Sequence, residues 1–233
     1  MSEHPLIEVR GVTKVYKSGT KVAALSRLSL SFSRGEFTAI AGPSGSGKST
    51  LLNIIGTIDA PTEGEVLYEG RNVSALSADA SADFRLRGLG FIFQAYNLIP
   101  VLTAEENVEY PLVLQGVTKA ERRARAREAL GWVGLQDLGE RRPDKLSGGQ
   151  QQRVAVARAI AHRPMVVLAD EPTANLDSKT AAQLLDLMLG LNKEHGITFI
   201  FSSHDPAVLS RARRVVHIRD GCLVDPSEAA PVA

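Results

Sequence analysis

The stretch that most constrains this chain is Gly-Pro-Ser-Gly-Ser-Gly-Lys-Ser-Thr at 42–50, which matches the pattern GxxxxGK[ST]. Its glycines let successive backbone N–H groups turn inward and form an anion cradle. Lys48 can reach the β- and γ-phosphates of a nucleotide, and the Ser49 hydroxyl can bind Mg²⁺. An apolar strand pattern at 36–41 precedes the stretch and an apolar helix pattern at 51–55 follows it, which favours a phosphate loop over a glycine-rich turn. The predicted phosphate-binding residues are Gly42, Pro43, Ser44, Gly45, Ser46, Gly47, Lys48, Ser49 and Thr50.

Composition excludes several other classes of protein. The chain has 233 residues and a net charge of +1, so it fits one globular domain and has no global electrostatic case for nucleic acid. The arginines around 118–133 are typical of a solvated helix face. Cys222 is the single cysteine, which rules out a disulfide framework and a cysteine-based zinc site. Without a signal-like start or an apolar run of roughly 20 residues, we expect a cytoplasmic chain that meets the membrane through a partner.

Three apolar runs each end in a polar group. Gln94 follows a strand pattern at 89–93, Asp170 follows the apolar run 165–169, and His204 follows the strand pattern 198–202. Parallel sheets place ligand-facing groups at the carboxyl ends of their strands. From these runs alone, Gln94 is either ligand-facing or a loop residue bonded to backbone, and His204 either bonds a phosphate or is structural.

The acids after the second run are the strongest catalytic candidates. An Asp that closes a buried strand is a natural second anchor for the Mg²⁺ of a phosphate loop, and Asp170 has that place. Glu171 beside it is positioned to accept a proton from water. A solvated turn with two acids is the competing interpretation.

Tyr16, before a predicted turn, either stacks on a flat ligand such as adenine or is simply packed.

Residues 103–162 read as almost entirely helical. Thr103 and Glu106 form a capping box for a helix at 104–114, which Pro111 is expected to kink or interrupt. Ser147 caps a further helix whose first turn is Gly148-Gly149-Gln150. Paired glycines at a helix start bare the backbone N–H groups and predict a second anion site.

The order of elements predicts the fold class. A phosphate loop followed by helices and then by alternating apolar strands and helices indicates an α/β protein with a parallel sheet, an antiparallel β lobe and a helical insertion. A helix is predicted at 179–195 with Gly196 as its C-cap, a last strand at 215–218, and a frayed tail at 226–233.

Together these motifs resemble the ATP-binding subunit of an ABC transporter over residues 6–224, because Leu-Ser-Gly-Gly-Gln at 146–150 is specific to that superfamily when a phosphate loop lies upstream. The resemblance implies a P-loop NTPase core with ATP and Mg²⁺ as ligands. It implies one nucleotide-binding domain over 1–233, with the core and β lobe at about 1–94 and 163–224 and a helical subdomain at about 95–162. The catalytic residues it implies are Lys48, Gln94, Glu171 and His204. The metal ligands it implies are Ser49, Gln94 and Asp170. The nucleotide contacts it adds are Tyr16 on the adenine and Ser147, Gly148, Gly149, Gln150 and Asp177.

Three longer stretches narrow the resemblance: Gly-Phe-Ile-Phe-Gln-Ala-Tyr-Asn-Leu-Ile-Pro at 90–100, Leu-Thr-Ala-Glu-Glu-Asn-Val at 102–108 and Asp-Glu-Pro-Thr-Ala-Asn-Leu-Asp at 170–177. On these, the chain looks most like the lipoprotein-releasing, macrolide-exporting and FtsE-type ATPases of the superfamily. This implies a head-to-tail homodimer in which Ser147 and Gly149 of one chain contact the γ-phosphate held by Lys48 of the other. It also implies a separate transmembrane permease with a large extracytoplasmic domain, so that the chain is peripheral on the cytoplasmic face of the inner membrane. A force-transmitting regulator of cell division or cell-wall remodelling is the alternative. A DNA-repair ATPase would need an insertion larger than the roughly 50 residues after Gln94.

Overall fold

The computed structural model describes residues 5–18 and 20–225 of the chain. The predicted tail at 226–233 lies outside these residues. The strands are β1 (Ile7–Ser18), β2 (Thr20–Phe32), β3 (Phe37–Ala41), β4 (Glu63–Tyr68), β5 (Arg71–Asn72), β6 (Leu89–Ile92), β7 (Val166–Ala169), β8 (Phe199–Ser203), β9 (Arg214–Arg219) and β10 (Cys222–Val224). The helices are α1 (Lys48–Ile55), α2 (Ala78–Gly88), α3 (Ala104–Leu114), α4 (Lys119–Trp132), α5 (Gly148–Ile160), α6 (Ser178–His195) and α7 (Pro206–Leu209). Short 3₁₀ turns occupy Gln136–Leu138 and Pro143–Lys145.

A six-stranded sheet has the order β10-β9-β3-β8-β7-β6. β3 pairs in parallel with β8 and β9, and β7 pairs in parallel with β6 and β8. Every residue of β3, β7 and β8 is buried, as expected for parallel strands covered on both faces. The parallel strands therefore end at one edge, and this edge carries the polar groups that the sequence places after β6, β7 and β8.

Side chains of the central strands alternate between two apolar cores, because successive residues of a strand point to opposite faces. Phe199 and Phe201 pack with α3, α4, α5 and α6 on one face, and Ile200 packs with α1 and the first two strands on the other. Helices on one face and an antiparallel lobe on the other confirm the predicted α/β class.

The antiparallel sheet has the order β2-β1-β4-β5. β1 and β2 form a long hairpin in which Tyr16 pairs with Val22, with register shifts between Val9 and Val15. Both strands are longer than the sequence patterns at 6–10 and 24–32 predicted, since β-bulges break the alternation on which those predictions rest.

The predicted helix caps are confirmed. Thr103 with Glu106 and Ser147 with Gln150 both form complete capping boxes, and Gly196 ends α6 with φ 66°. Pro111 was expected to kink or interrupt α3, and the interruption is wrong, because the helix continues through Pro111 to Leu114. Ala104, Val108 and Leu112 bury one face of α3 completely, and this packing outweighs the backbone hydrogen bond that a proline removes.

Among residues 5–18 and 20–225, none of the helices combines the length with the apolar character that a membrane crossing requires.

Candidate active site

The phosphate loop turns tightly between β3 and α1. Gly47 precedes α1 with φ 107°, a conformation that favours glycine. A Cβ at Gly47 would lie 2.5 Å from the Ala24 carbonyl oxygen of the hairpin, so the loop has no room for a side chain there. The loop and the start of α1 therefore present backbone N–H groups and the positive end of the helix dipole to one cleft.

Lys48 is held inside this loop. Its side chain is 7% exposed, and its Nζ donates to the carbonyl oxygens of Gly42 at 2.8 Å and Pro43 at 3.0 Å. The same Nζ lies 3.8 Å from Glu171 Oε1. The ammonium is thus fixed where it can meet the outer phosphates of a nucleotide.

The Ser49 hydroxyl and the Asp170 carboxylate meet beside the loop. Ser49 Oγ donates to Asp170 Oδ1 at 3.0 Å, and Ser202 Oγ donates to the same carboxylate oxygen at 2.6 Å. Mg²⁺ prefers oxygen ligands and keeps most of its shell for phosphate and water, so one hydroxyl and one carboxylate fit it. These residues are compatible with a Mg²⁺ ion held together with a nucleotide.

Glu171 lies next to this pair with an unusual backbone. Its φ of 46° is in the left-handed region, and its amide donates to Ser202 Oγ at 2.9 Å. Its Oε1 lies 3.0 Å from His204 Nδ1. The carboxylate is therefore oriented by an imidazole and an ammonium at the mouth of the cleft, an arrangement suited to accepting a proton from water.

The predicted catalytic groups meet in a single cleft of about 600 Å³. Gln94, Asp170, Glu171 and His204 all line it together with most of the phosphate loop. The lining residues are Ala24, Pro43, Ser44, Gly45, Gly47, Lys48, Ser49, Thr50, Gln94, Asp170, Glu171, Ala174 and His204. Gly42 and Ser46 do not line the cleft, and Ser46 is buried beneath the loop with 2% exposed.

Tyr16 does not line this cleft either. Its side chain is 39% exposed and its hydroxyl donates to Asp59 Oδ2 at 2.8 Å. The hydroxyl also interacts with the side chain of Thr50 in the phosphate loop, so the ring lies at the rim of the cleft.

The residues at 147–150 begin α5 outside the lining of the cleft. Ser147 Oγ accepts from the Gln150 amide at 3.3 Å, and Gln150 Oε1 accepts from the Ser147 amide at 2.9 Å. Asp177 is likewise outside the lining and caps α6, accepting from the amides of Lys179 and Thr180. Hydrogen bonds from the Thr180 hydroxyl and amide lower the pKa of Asp177.

Sequence reasoning missed two polar residues that connect the site. Ser202 links both acids, and Gln152 Nε2 donates to the Pro172 carbonyl at 2.6 Å. Asn175, two residues before Asp177, donates from Nδ2 to the Gln94 carbonyl at 2.9 Å. Ser202 and Gln152 are fully buried. A polar side chain within an apolar strand or helix face is the signal that would have identified them, since buried polar groups are almost always hydrogen-bonded.

A glycine-rich loop between a buried parallel strand and a helix, with an Asp-Glu pair at the end of β7 in the same sheet, defines a phosphate-loop nucleoside triphosphatase. The sequence profile of the family described as ABC transporter matches residues 25–174. The chain belongs to the ABC transporter family as one of its ATP-binding proteins, and it is an ATPase.

Relatives of this chain agree with the family. The chain is 48% identical over 221 residues to an uncharacterized ABC transporter ATP-binding protein of Methanocaldococcus jannaschii, covering 94% of this chain and 98% of that protein. It is 46% identical over 230 residues to the macrolide export ATP-binding/permease protein MacB of Marinobacter nauticus, covering 98% of this chain and 36% of that protein. The chain thus spans about a third of the length of this exporter.

A solved structure shares the fold closely. A dimeric ATP-binding cassette of M. jannaschii, in a post-hydrolysis state bound to ADP and Pi, superimposes with a TM-score of 0.85 at 45% identity. The match covers 94% of this chain and 97% of the other.

Proposed function

We propose that this chain hydrolyses ATP to drive a separate membrane permease, and that it works as a head-to-tail homodimer. The observation that carries the proposal is the division of the predicted site. Lys48, Glu171 and His204 converge on one cleft, whereas the start of α5 at 147–150 lies outside its lining. A cleft with a base and a phosphate loop but without this second anion site is suited to completion by another copy.

The residues on the loop side of the cleft bind the nucleotide and its metal ion. The loop amides and Lys48 hold the phosphates, and Ser49, Asp170 and Gln94 are the groups that would hold Mg²⁺. When bound, this ion neutralises charge on the phosphate oxygens. Tyr16 at the rim stacks on the adenine.

The residues on the opposite side of the cleft carry out hydrolysis. Glu171 accepts a proton from the attacking water, and its carboxylate is oriented by His204 at 3.0 Å. His204 also contacts the γ-phosphate, and Gln94 orients the water. Because Lys48 lies 3.8 Å from Glu171, a phosphate bound by Lys48 would lie beside the base.

Closure of the dimer completes the site. Ser147, Gly148, Gly149 and Gln150 of one chain, with Asp177, contact the nucleotide held by the other chain. Support comes from the first amides of α5, those of Gly148 and Gly149, because the first N–H groups of a helix have no intrahelical acceptor and favour anions. The amide of Gln150, by contrast, donates to Ser147 Oγ. ATP binding then closes the dimer and hydrolysis reopens it.

A permease partner is supported by an apolar cavity of about 430 Å³ on the side of α3. Leu86, Phe91, Phe93, Tyr110 and Leu114 are among its lining residues, and Phe93 directly precedes Gln94. The helical subdomain at about 95–162 would transmit closure to a transmembrane partner with a large extracytoplasmic domain. We propose that the chain lies on the cytoplasmic face of the inner membrane. Its core and β lobe would then comprise about 1–94 and 163–224.

Glu171→Gln tests the proposal. We expect the variant to bind ATP with nearly the parent affinity but to hydrolyse it roughly 10²–10⁴-fold more slowly, the range for loss of a general base. Equilibrium binding and phosphate release, measured on the chain with Mg²⁺, give the two values. Glu194→Gln makes the same chemical change at the exposed end of α6 and should leave both values unchanged. Parent-rate hydrolysis by Glu171→Gln would assign the base elsewhere.

A further inference from the structure

Tyr16 is surrounded by charged groups on one side. Its hydroxyl donates to Asp59 Oδ2 at 2.8 Å, and the Lys14 ammonium lies 5.0 Å from the centroid of its ring. A cation over a ring face is attracted to the π electrons. Lys14 therefore covers one face of the ring, and the 39% of the side chain that is exposed leaves room for a flat ligand beside it.

Asp59 holds both of these groups. Its Oδ1 accepts from Lys14 Nζ at 2.5 Å and from the Ala60 amide at 2.8 Å, while Oδ2 is bound to Tyr16. Lys14 Nζ also donates to the Ala60 carbonyl at 2.7 Å. Lys14 and Asp59 are 13% and 28% exposed, so this contact is more shielded than an ordinary surface pair.

The ionisation of the cluster agrees with this geometry. Burial and the hydrogen bond to Asp59 raise the pKa of Tyr16, which keeps its hydroxyl a donor. Partial burial works to raise the pKa of Asp59, but hydrogen bonds from Lys14, Tyr16 and the Ala60 amide outweigh it and lower the pKa.

The cluster connects the hairpin to the phosphate loop. Asp59 lies in the connection after α1, the helix that the phosphate loop opens, and Tyr16 and Lys14 lie on β1. The Tyr16 hydroxyl also interacts with Thr50 of that helix. Asp59 thus fixes the distance between an aromatic ring on one element and the phosphate cradle on another.

We propose that Asp59, with Lys14, positions the Tyr16 ring to receive the adenine of the bound nucleotide. This rests on the proposed role of Tyr16 as the adenine platform. Asp59 is a positioning residue that acts through Tyr16, because it orders the ring before a nucleotide arrives. Without Asp59, binding must order the ring itself, which costs roughly 2- to 10-fold in affinity for one side chain.

The test compares two ligands with the same number of phosphates. ADP carries the base and pyrophosphate does not, and neither is hydrolysed by this site. Their affinities are measured with Mg²⁺ for the parent chain, Asp59→Ala, Tyr16→Ala and the double variant. Asp83→Ala is the control, because it removes an exposed aspartate that pairs with Arg87 far from Tyr16 in the sequence. Tyr16→Phe cuts the hydrogen bond from the other side while keeping the ring.

We expect Tyr16→Ala to lower the affinity for ADP roughly 5- to 150-fold, the range for one stacked base, and to leave the affinity for pyrophosphate unchanged. Asp59→Ala and Tyr16→Phe should weaken ADP roughly 2- to 10-fold, again without an effect on pyrophosphate. In the Tyr16→Ala background, Asp59→Ala should cause no further loss. Asp83→Ala should match the parent.

The outcomes distinguish the role of Tyr16 as the adenine platform from the positioning role of Asp59. If Tyr16→Ala leaves the affinity for ADP unchanged, Tyr16 is not the platform, and the role of Asp59 falls with it. If Tyr16→Ala weakens ADP but both Asp59→Ala and Tyr16→Phe retain parent affinity, the platform stands and positioning by Asp59 is wrong. Equal losses for ADP and pyrophosphate, or a further loss in the double variant, would show that Asp59 acts on the loop and not through Tyr16.

Discussion

Ser202 offers the sharpest test of how the two acids are held. Its side chain is fully buried on β8, its hydroxyl donates to Asp170 Oδ1 at 2.6 Å, and it accepts from the Glu171 amide at 2.9 Å. Ser202→Ala removes both contacts with one atom and leaves the fold no larger cavity than a hydroxyl.

The magnitude follows from the two hydrogen bonds. A hydrogen bond to a carboxylate, such as that from Ser202 to Asp170, contributes about 1.5–3 kcal/mol to stability. A buried N–H left without an acceptor, as the Glu171 amide would be, costs about 1–3 kcal/mol. The two losses overlap because Glu171 directly follows Asp170, so we expect a loss of about 2–4 kcal/mol in the free energy of unfolding. Since both acids lose an orienting partner, ATP hydrolysis should also fall, by roughly 10- to 100-fold.

Urea unfolding at pH 7, followed by circular dichroism, measures the first effect, and phosphate release measures the second. Ser203→Ala is the matched control, because this neighbouring buried hydroxyl accepts from the Asp205 amide rather than the Glu171 amide. A loss below about 0.5 kcal/mol for Ser202→Ala, a value typical of substitutions without a specific role, with unchanged hydrolysis, would refute the reasoning.

Two further substitutions test the phosphate loop and the core. Lys48→Ala should lower the affinity for ATP by roughly 10- to 100-fold, since it removes a charge-assisted contact to phosphate. Equilibrium binding measures this, with Lys193→Ala as the exposed control. An affinity near that of the parent would contradict the loop assignment. Tyr68→Phe should lower the free energy of unfolding by about 1 kcal/mol, because the buried Tyr68 hydroxyl donates to the Ile55 carbonyl at 2.8 Å; an unchanged urea midpoint would contradict that contact.

Local patterns predicted much of this molecule. The apolar runs before Gln94, Asp170 and His204 are strands of one sheet, and the capping box at Thr103 and the helix cap at Ser147 form as predicted. These features depend on residues close together in the chain, so the sequence carries them directly.

Long-range contacts could not be predicted in the same way. Ser202 lies 32 residues from Asp170, and Asp59 lies 43 residues from Tyr16, so neither pairing leaves a local pattern. Pro111 shows the reverse case, in which a strong local rule is overridden by the burial of Val108 and Leu112. The order of the strands also depends on such distant pairings.

If the start of α5 completes the site of another chain, ATP must drive dimerisation, which can be measured directly. Gly149 is a poor site for an added charge, because a Cβ there would lie 2.5 Å from Thr180 Cγ2. Ser147→Asp is better, since Asp caps a helix as well as Ser and sets a negative charge against the partner's phosphate. Ser147→Asn has the same shape and capping ability without the charge.

The measurement is light scattering on Glu171→Gln with ATP and Mg²⁺, alone and combined with each Ser147 substitution, beside ATP binding. We predict a dimer for Glu171→Gln and for its combination with Ser147→Asn. The combination with Ser147→Asp should bind ATP through its own Lys48 and remain monomeric. A dimer as stable with Ser147→Asp as with Ser147→Asn, or a loss of ATP binding by the monomer, would contradict a site shared between two chains.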